Sequence, residues 1–236
     1  MAALPTTAMV LAAGLGTRLK PITDHTPKPL VSVAGRTLLD RCIDRLVEAG
    51  VSRAVVNIHW LGGQIRDHLA GRRDIAITIS DESDLLLETG GGLVKALPLL
   101  GDAPVFAVNA DLIWRDEGRP SLLRLARAFD PARMDALLLL QPRDRATGHG
   151  GPGDFSLDGD SRLIRRGAQP TAPYVYTGVQ ILQPSLLRDA PAGPFSLNIL
   201  YDRAIAAGRL HGLAHQGDWM DVGTHDGLAQ AEALLA

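Results

Sequence analysis

The chain has 236 residues, 46% hydrophobic and 21% charged, enough to bury a sizeable core and to exclude a disordered polypeptide. Its 24 basic and 26 acidic residues leave a net charge of -2, which excludes the positive field that a polyanion such as duplex DNA requires. Cys42 is the single cysteine, so no intramolecular disulfide forms, and its place in a helical pattern marks it as a small buried hydrophobe. The N-terminus carries no basic leader, and no apolar stretch approaches the roughly 20 residues of a membrane helix. A soluble, cytoplasmic protein without membrane or nucleic-acid partners is expected.

Short apolar runs alternate with amphipathic segments of helical length. The spacing predicts strands over 9–12, 54–58, 75–79 and 105–109, separated by helices over 38–49, 64–70 and 91–97. Strands alternating with helices imply an α/β fold, a Rossmann-like αβα sandwich with a mostly parallel central sheet. Such sheets bind ligands beyond the carboxyl ends of their strands, so the loops after 12, 58, 79 and 109 should meet at one crevice. A helix over 120–129 and a strand over 136–140 follow. Residues 141–153 then form a glycine-, proline- and arginine-rich loop, of a length that is usually functional. Strands over 154–157, 163–166 and 174–182, helices over 184–189 and 197–207, a strand over 210–214, a segment 219–222 and a helix over 225–235 complete the chain. One domain is expected, with a nucleotide-binding half (1–140) and a small sugar-binding insertion in the second half (141–236).

The strongest local signal is Val10-Leu11-Ala12-Ala13-Gly14-Leu15-Gly16-Thr17-Arg18, followed by Thr23 and Pro27-Lys28-Pro29. A strand ending in Ala-Ala-Gly-x-Gly lets main-chain N–H groups approach a ligand closely, and phosphate oxygens are the natural guests. Arg18 can fork onto a polyphosphate, and Lys28 between two prolines adds a constrained point charge. Leu19 stands where a dinucleotide fingerprint has its third glycine, and no Gly-Lys-Ser/Thr is present, so neither a nicotinamide-binding turn nor a P-loop fits.

What remains, Leu-Ala-Ala-Gly-x-Gly-x-Arg with Pro-Lys-Pro, resembles the signature of the sugar-1-phosphate nucleotidyltransferases. Leu87-Glu88-Thr89-Gly90-Gly91-Gly92 looks like that family's base-recognition loop, Val108-Asn109-Ala110-Asp111 like its strand ending in a metal-binding aspartate, and Trp219-Met220-Asp221-Val222-Gly223-Thr224 like its late metal-binding segment. The resemblance implies Mg²⁺ held by Asp111 and Asp221, with Arg18 and Lys28 as catalytic cations. It implies a nucleotide site of Leu11, Ala12, Ala13, Gly14, Gly16, Thr17, Arg18, Lys28, Thr89, Gly90 and Asn109; by position ahead of the base loop, Glu82 or Ser83 is placed to face the base edge, and a solvent-exposed turn explains Asp81–Asp84 equally. For the sugar phosphate it implies Asp154, Tyr176, Thr177, Gly178 and Asn198. Taken alone, either aspartate reads as a turn or cap residue, and Thr177-Gly178 as a strand kink. The lysine with which larger relatives meet the sugar phosphate is replaced in this region by Arg165-Arg166, which read equally as solvated strand residues.

The implied reaction joins a nucleoside triphosphate to a sugar 1-phosphate and releases pyrophosphate. The Glu-Thr-Gly-Gly-Gly variant, the length and Gly153-Asp154-Phe155 resemble the bacterial N-acetylmuramate α-1-phosphate uridylyltransferases of peptidoglycan recycling, with UTP as donor. Mannose-1-phosphate guanylyl transfer, glucose-1-phosphate thymidylyl or uridylyl transfer, and a non-catalytic nucleotide-sugar-binding subunit stand as alternatives. A monomer is expected.

Overall fold

The computed structural model describes residues 4–235. Its strands are β1 (Thr7–Leu11), β2 (Ser32–Val33), β3 (Arg36–Thr37), β4 (Arg53–Ile58), β5 (Ala76–Asp81), β6 (Val105–Asn109), β7 (Leu112–Asp116), β8 (Ala136–Pro142), β9 (Ala146–Thr147), β10 (Phe155–Leu157), β11 (Leu163–Arg165), β12 (Tyr174–Leu182), β13 (Leu210–Ala214) and β14 (Gly217–Asp221). Its helices are α1 (Leu38–Glu48), α2 (Gly62–Leu69), α3 (Glu88–Leu100), α4 (Ser121–Ala128), α5 (Asn198–Ala206) and α6 (His225–Leu235).

A nine-stranded mixed sheet forms the centre. Its first half is parallel, in the order β6-β1-β4-β5. Ala8, Met9 and Val10 of β1 are fully buried because layers cover both faces, which is why the strand reads as a continuous apolar run. Alternation along each strand divides the core in two. Ala8, Val10, Ala54 and Val56 face the side covered by α1, α2 and α4, whereas Met9 and Val55 face the side covered by α3 and α5.

α1 shows how local sequence sets an element. The Thr37 hydroxyl accepts from Asp40 N–H at 3.0 Å as an N-cap, and Leu39, Cys42, Ile43 and Leu46 repeat at helical spacing toward the core. Gly50, at φ 86°, ends the helix with the paired bonds Gly50 N–H to Val47 O and Val51 N–H to Leu46 O.

The second half, whose loosened pattern reads as an insertion built onto the sheet, extends that sheet itself. β12 lies antiparallel to β6, pairing Val179 with Val108 and Ile181 with Phe106, and carries β8 and then β13 beyond it. The open edge of β6 is thereby covered. A register shift between Tyr176 and Gln180, with Gly178 at φ 80°, lets β12 serve β6, β8 and β10 at once. β7 is absent from the sequence reading. It pairs antiparallel with β14 and through it meets β9, making a three-stranded sheet that brings the late aspartate segment beside Asp111.

Candidate active site

The loops after β1 and β6, the end of β4 and the start of α3 line one cavity of about 440 Å³. Leu11, Ala12, Ala13, Gly14, Gly16 and Thr17 form one wall, with Arg18 and Lys28 at its cationic end. Gly16 lies at φ 65°, and a Cβ there would stand 2.8 Å from Thr23 Cγ2 and 3.1 Å from Lys28 Cβ. The Thr23 hydroxyl donates to Gly16 O at 2.8 Å. The threonine and the Pro-Lys-Pro segment therefore buttress the glycine turn from behind, which explains why the three sequence features travel together.

Asn109 and Asp111 line the same cavity from the end of β6, and Thr89 from the opposite wall. Lys28, only 7% exposed, donates to Asp111 Oδ2 at 2.5 Å. Asp221 stands outside the cavity lining but close by: β14 pairs it with Leu112, the residue after Asp111, and Gly223, whose N–H donates to Asp221 Oδ1 at 2.8 Å, lines the cavity. A Cβ on Gly223 would lie 2.5 Å from Arg18 Nη2 and 2.7 Å from Asp221 Oδ1, so the glycine opens a cradle between guanidinium and carboxylate. His149, from the loop after β9, stands 3.9 Å from Asp221 Oδ2 with its ring edge-on to Trp219.

Two partly exposed carboxylates, Asp111 in the turn between β6 and β7 at the cavity wall and Asp221 at the end of the neighbouring β14, fit a hard divalent cation that completes its shell with phosphate and water oxygens. No group of three or more His, Cys, Asp or Glu side chains suited to a metal occurs among the described residues, so a closed site made of protein ligands alone does not form there.

Several expected contacts lie elsewhere. Glu82 does not line the cavity: it is fully buried, its oxygens taken by Asn57 Nδ2 and Leu87 N–H. Gly90 is not in the cavity wall; its N–H donates to Phe195 O at 2.9 Å, and a Cβ would strike the Phe195 ring at 2.3 Å. Thr177 is 1% exposed and its hydroxyl donates to Leu139 O, so it offers a sugar no side-chain contact. Gly178 is buried against Leu112 and Asn109. Asp154 accepts from Tyr176 N–H at 2.8 Å, the Tyr176 ring stands edge-on to Tyr201, and Asn198 Oδ1 accepts from Arg165. None of these five lines the cavity. Arg165 also pairs with Asp202 and lies over the Phe155 ring, while Arg166 donates to the carbonyls of Gly153 and Gln169. Both arginines thus have partners within the chain.

The sequence reading gave no site role to Pro29, Asn57, Leu86, Glu88, Ser196 and Gly223, which also line the cavity. A polar residue ending the apolar run Ala54-Val55-Val56 was a usable signal for Asn57. Glu88 is exposed and adopts φ 59°, a left-handed conformation costing a non-glycine residue about 1 kcal/mol. Ser196 arrives from over a hundred residues away because the segment before α5 clasps the base loop: Leu197 N–H donates to Thr89 Oγ1, and Phe195 N–H to Leu87 O.

Residues 7–236 match the family model described as nucleotidyl transferase. The chain is 45% identical over 240 residues to an N-acetylmuramate alpha-1-phosphate uridylyltransferase of Caulobacter vibrioides, covering 100% of this chain and 99% of that one. It is 37% identical to the enzyme of the same name from Neisseria meningitidis, covering 96% and 97%. The inositol-1-phosphate CTP transferase of T. maritima shares the fold at TM-score 0.79 and 18% identity, covering 100% of this chain and 96% of that one. With the glycine loop, the two cations and Asp111 lining one cavity and Asp221 on the strand beside it, the chain belongs to the sugar-1-phosphate nucleotidyltransferase family.

Proposed function

We propose that the protein transfers the uridylyl group of UTP to N-acetylmuramic acid α-1-phosphate. The observation that carries this reading is the end-to-end likeness to two uridylyltransferases of that name, at 45% and 37% identity. An oxygen of the sugar phosphate attacks the α-phosphorus in line; the new P–O bond forms as the bond to the β-phosphate bridging oxygen breaks, and pyrophosphate leaves. No protein nucleophile is required. The main chain of Ala13 to Thr17 cradles the triphosphate, and Arg18 and Lys28 neutralise charge on the leaving pyrophosphate. Asp111 and Asp221 would hold Mg²⁺, which when bound draws charge from the phosphate oxygens. The sugar phosphate would enter beside Asn109 and Gly223, past the β12 bulge of residues 176–178, so the second half (141–236) closes the site that the first half (1–140) begins.

Purified protein incubated with Mg²⁺ and a matrix of four nucleotides against four sugar 1-phosphates, scored by pyrophosphate release, tests this directly. UTP with N-acetylmuramic acid α-1-phosphate should give the highest kcat/KM. A preference for GTP with mannose 1-phosphate, or for a glucose 1-phosphate acceptor, would replace the uridylyl and muramic-acid assignment. No described helix is long and apolar enough to cross a membrane. That supports our placing the enzyme in the cytoplasm, where its phosphorylated substrates reside, and we expect light scattering to report a monomer of 25.1 kDa.

A further inference from the structure

Beneath the cavity, two polar side chains are sealed where an apolar filling would be the ordinary solution. Glu82 is 0% exposed and Asn57 2%. Their hydrogen bonds form one line between two walls. Ala12 N–H donates to Asn57 Oδ1 at 2.7 Å, Asn57 Nδ2 donates to Glu82 Oε1 at 2.7 Å, and Leu87 N–H donates to Glu82 Oε2 at 3.1 Å. Ala12 belongs to the glycine loop and Leu87 to the base loop, and Asn57 also lines the cavity between them. Gly92 makes the room: a Cβ there would stand 2.8 Å from Glu82 Oε1 and 2.9 Å from Asn57 Nδ2.

Both ends of this line are main-chain donors. The two side chains must therefore present an acceptor outward at each end and a donor–acceptor contact between themselves. Asparagine followed by glutamate meets that condition. Asparagine followed by glutamine cannot, because every orientation of the two amides leaves one N–H facing another N–H. A buried polar line with one such mismatch loses far more than one rebuilt to be complementary.

We propose that Asn57 and Glu82 form a positioning couple that holds the glycine loop and the base loop at a set separation, and thereby selects the nucleobase the slot accepts. This rests on the cavity being the nucleotide site. A base is a flat ring gripped between the two loops, whereas the reacting phosphates lie at the cationic end with Arg18 and Lys28. Displacing one loop therefore changes which base is held before it changes the rate of phosphoryl chemistry.

The test compares Glu82→Gln with the double variant Asn57→Asp/Glu82→Gln. In the double variant the carboxylate introduced at position 57 accepts from Ala12 N–H and from the new amide at position 82. That amide's oxygen accepts from Leu87 N–H, so complementarity returns with the charge moved. KM, kcat and nucleotide preference are measured for UTP, CTP, dTTP and GTP, with calorimetric nucleotide affinity and Tm alongside. Glu82→Gln should raise KM for the preferred nucleotide about tenfold and narrow the base preference by a similar factor, with kcat within about twofold. The double variant should return KM to within about threefold of the parent.

A Glu82→Gln protein with lowered Tm but unchanged affinity and base preference would make the couple a purely structural feature. A folded double variant without recovery would overturn the proposal as well. Should Glu82→Gln fail to fold, the double variant decides: folding with the parent's base preference supports the couple, and failure to fold or a lost preference refutes it. Every variant is scored against the parent's own preferred nucleotide, so a parent that prefers another base sinks the uridylyl reading and leaves this test intact.

Discussion

Lys28 enters the cavity as a nearly buried ammonium whose carboxylate partner is Asp111, while Asp221 is held by the N–H of Gly223. The two aspartates should therefore fail differently when neutralised. Asp111→Asn removes the charge facing a cation already drawn out of water, so both turnover and Tm should fall. Asp221→Asn keeps an oxygen for Gly223 N–H and should leave Tm nearly unchanged. Each should lower turnover at least about a hundredfold, the scale of losing one preorganised electrostatic contact. Pyrophosphate release at saturating Mg²⁺, with thermal melts of both variants, checks this; near-parental turnover in either would remove that residue from the metal site. Cys42 takes no part, since full burial pushes its thiol well above the ordinary range and away from nucleophilic use.

At the scale of the element, the start of α3 carries three consecutive glycines because it is enclosed on three sides. Gly90 abuts the Phe195 ring, Gly91 the Gly193 carbonyl at 2.6 Å from a would-be Cβ, and Gly92 the Glu82–Asn57 pair. Alanine in a helix interior gains about 1 kcal/mol over glycine by propensity, but overpacking costs about 1–3 kcal/mol, so packing wins. Gly90→Ala should lower Tm by several degrees and weaken nucleotide binding, because Thr89 and the 195–197 clasp shift together. Phe195→Leu in the same chain should recover part of the Tm, and a melt of the pair against both single variants measures the coupling. The helix also runs through Pro98 to Leu100, beyond the end its sequence suggests, since burial of Leu93, Ala96 and Leu100 against the sheet outweighs the lost hydrogen bond.

For the whole molecule, stability between pH 7.5 and 5.5 should depend on two buried histidines in the second half of the chain. His211 and His215 are buried, and burial is the main cause that holds both below the ordinary 6.5. His215 is bonded to Ser121 and to the Asp218 carbonyl, whereas both ring nitrogens of His211 lack a hydrogen-bond partner. The unfolded chain binds protons on these rings below about 6.5 and the folded chain does not, so their contribution is present above that value and lost as pH falls through the folded values. Tm should therefore drop between pH 7.5 and 5.5. In His211→Phe, which cannot titrate, that drop should shrink by about 2–4 °C, read from melts across the range; an unchanged slope would place acid sensitivity elsewhere.

The glycine loop, the Pro-Lys-Pro segment, the aspartate just after β6 and the alternation of the first half were legible in the sequence because each depends on neighbours within a few residues: a turn needing glycine, a strand needing two buried faces. Asp221 could be read only as part of a motif, since what brings it to Asp111 is the pairing of β14 with β7, across more than a hundred residues. Tertiary packing alone decided the rest. It turned Glu82 inward onto Asn57, took the Thr177 hydroxyl for Leu139, paired Arg165 with Asp202 and Asn198, and carried Ser196 into the cavity beside the glycine loop. The physical reason is common to all four: a polar side chain looks free in a sequence, but once the sheet closes it must find a partner or remain in water, and that partner is chosen by three-dimensional proximity.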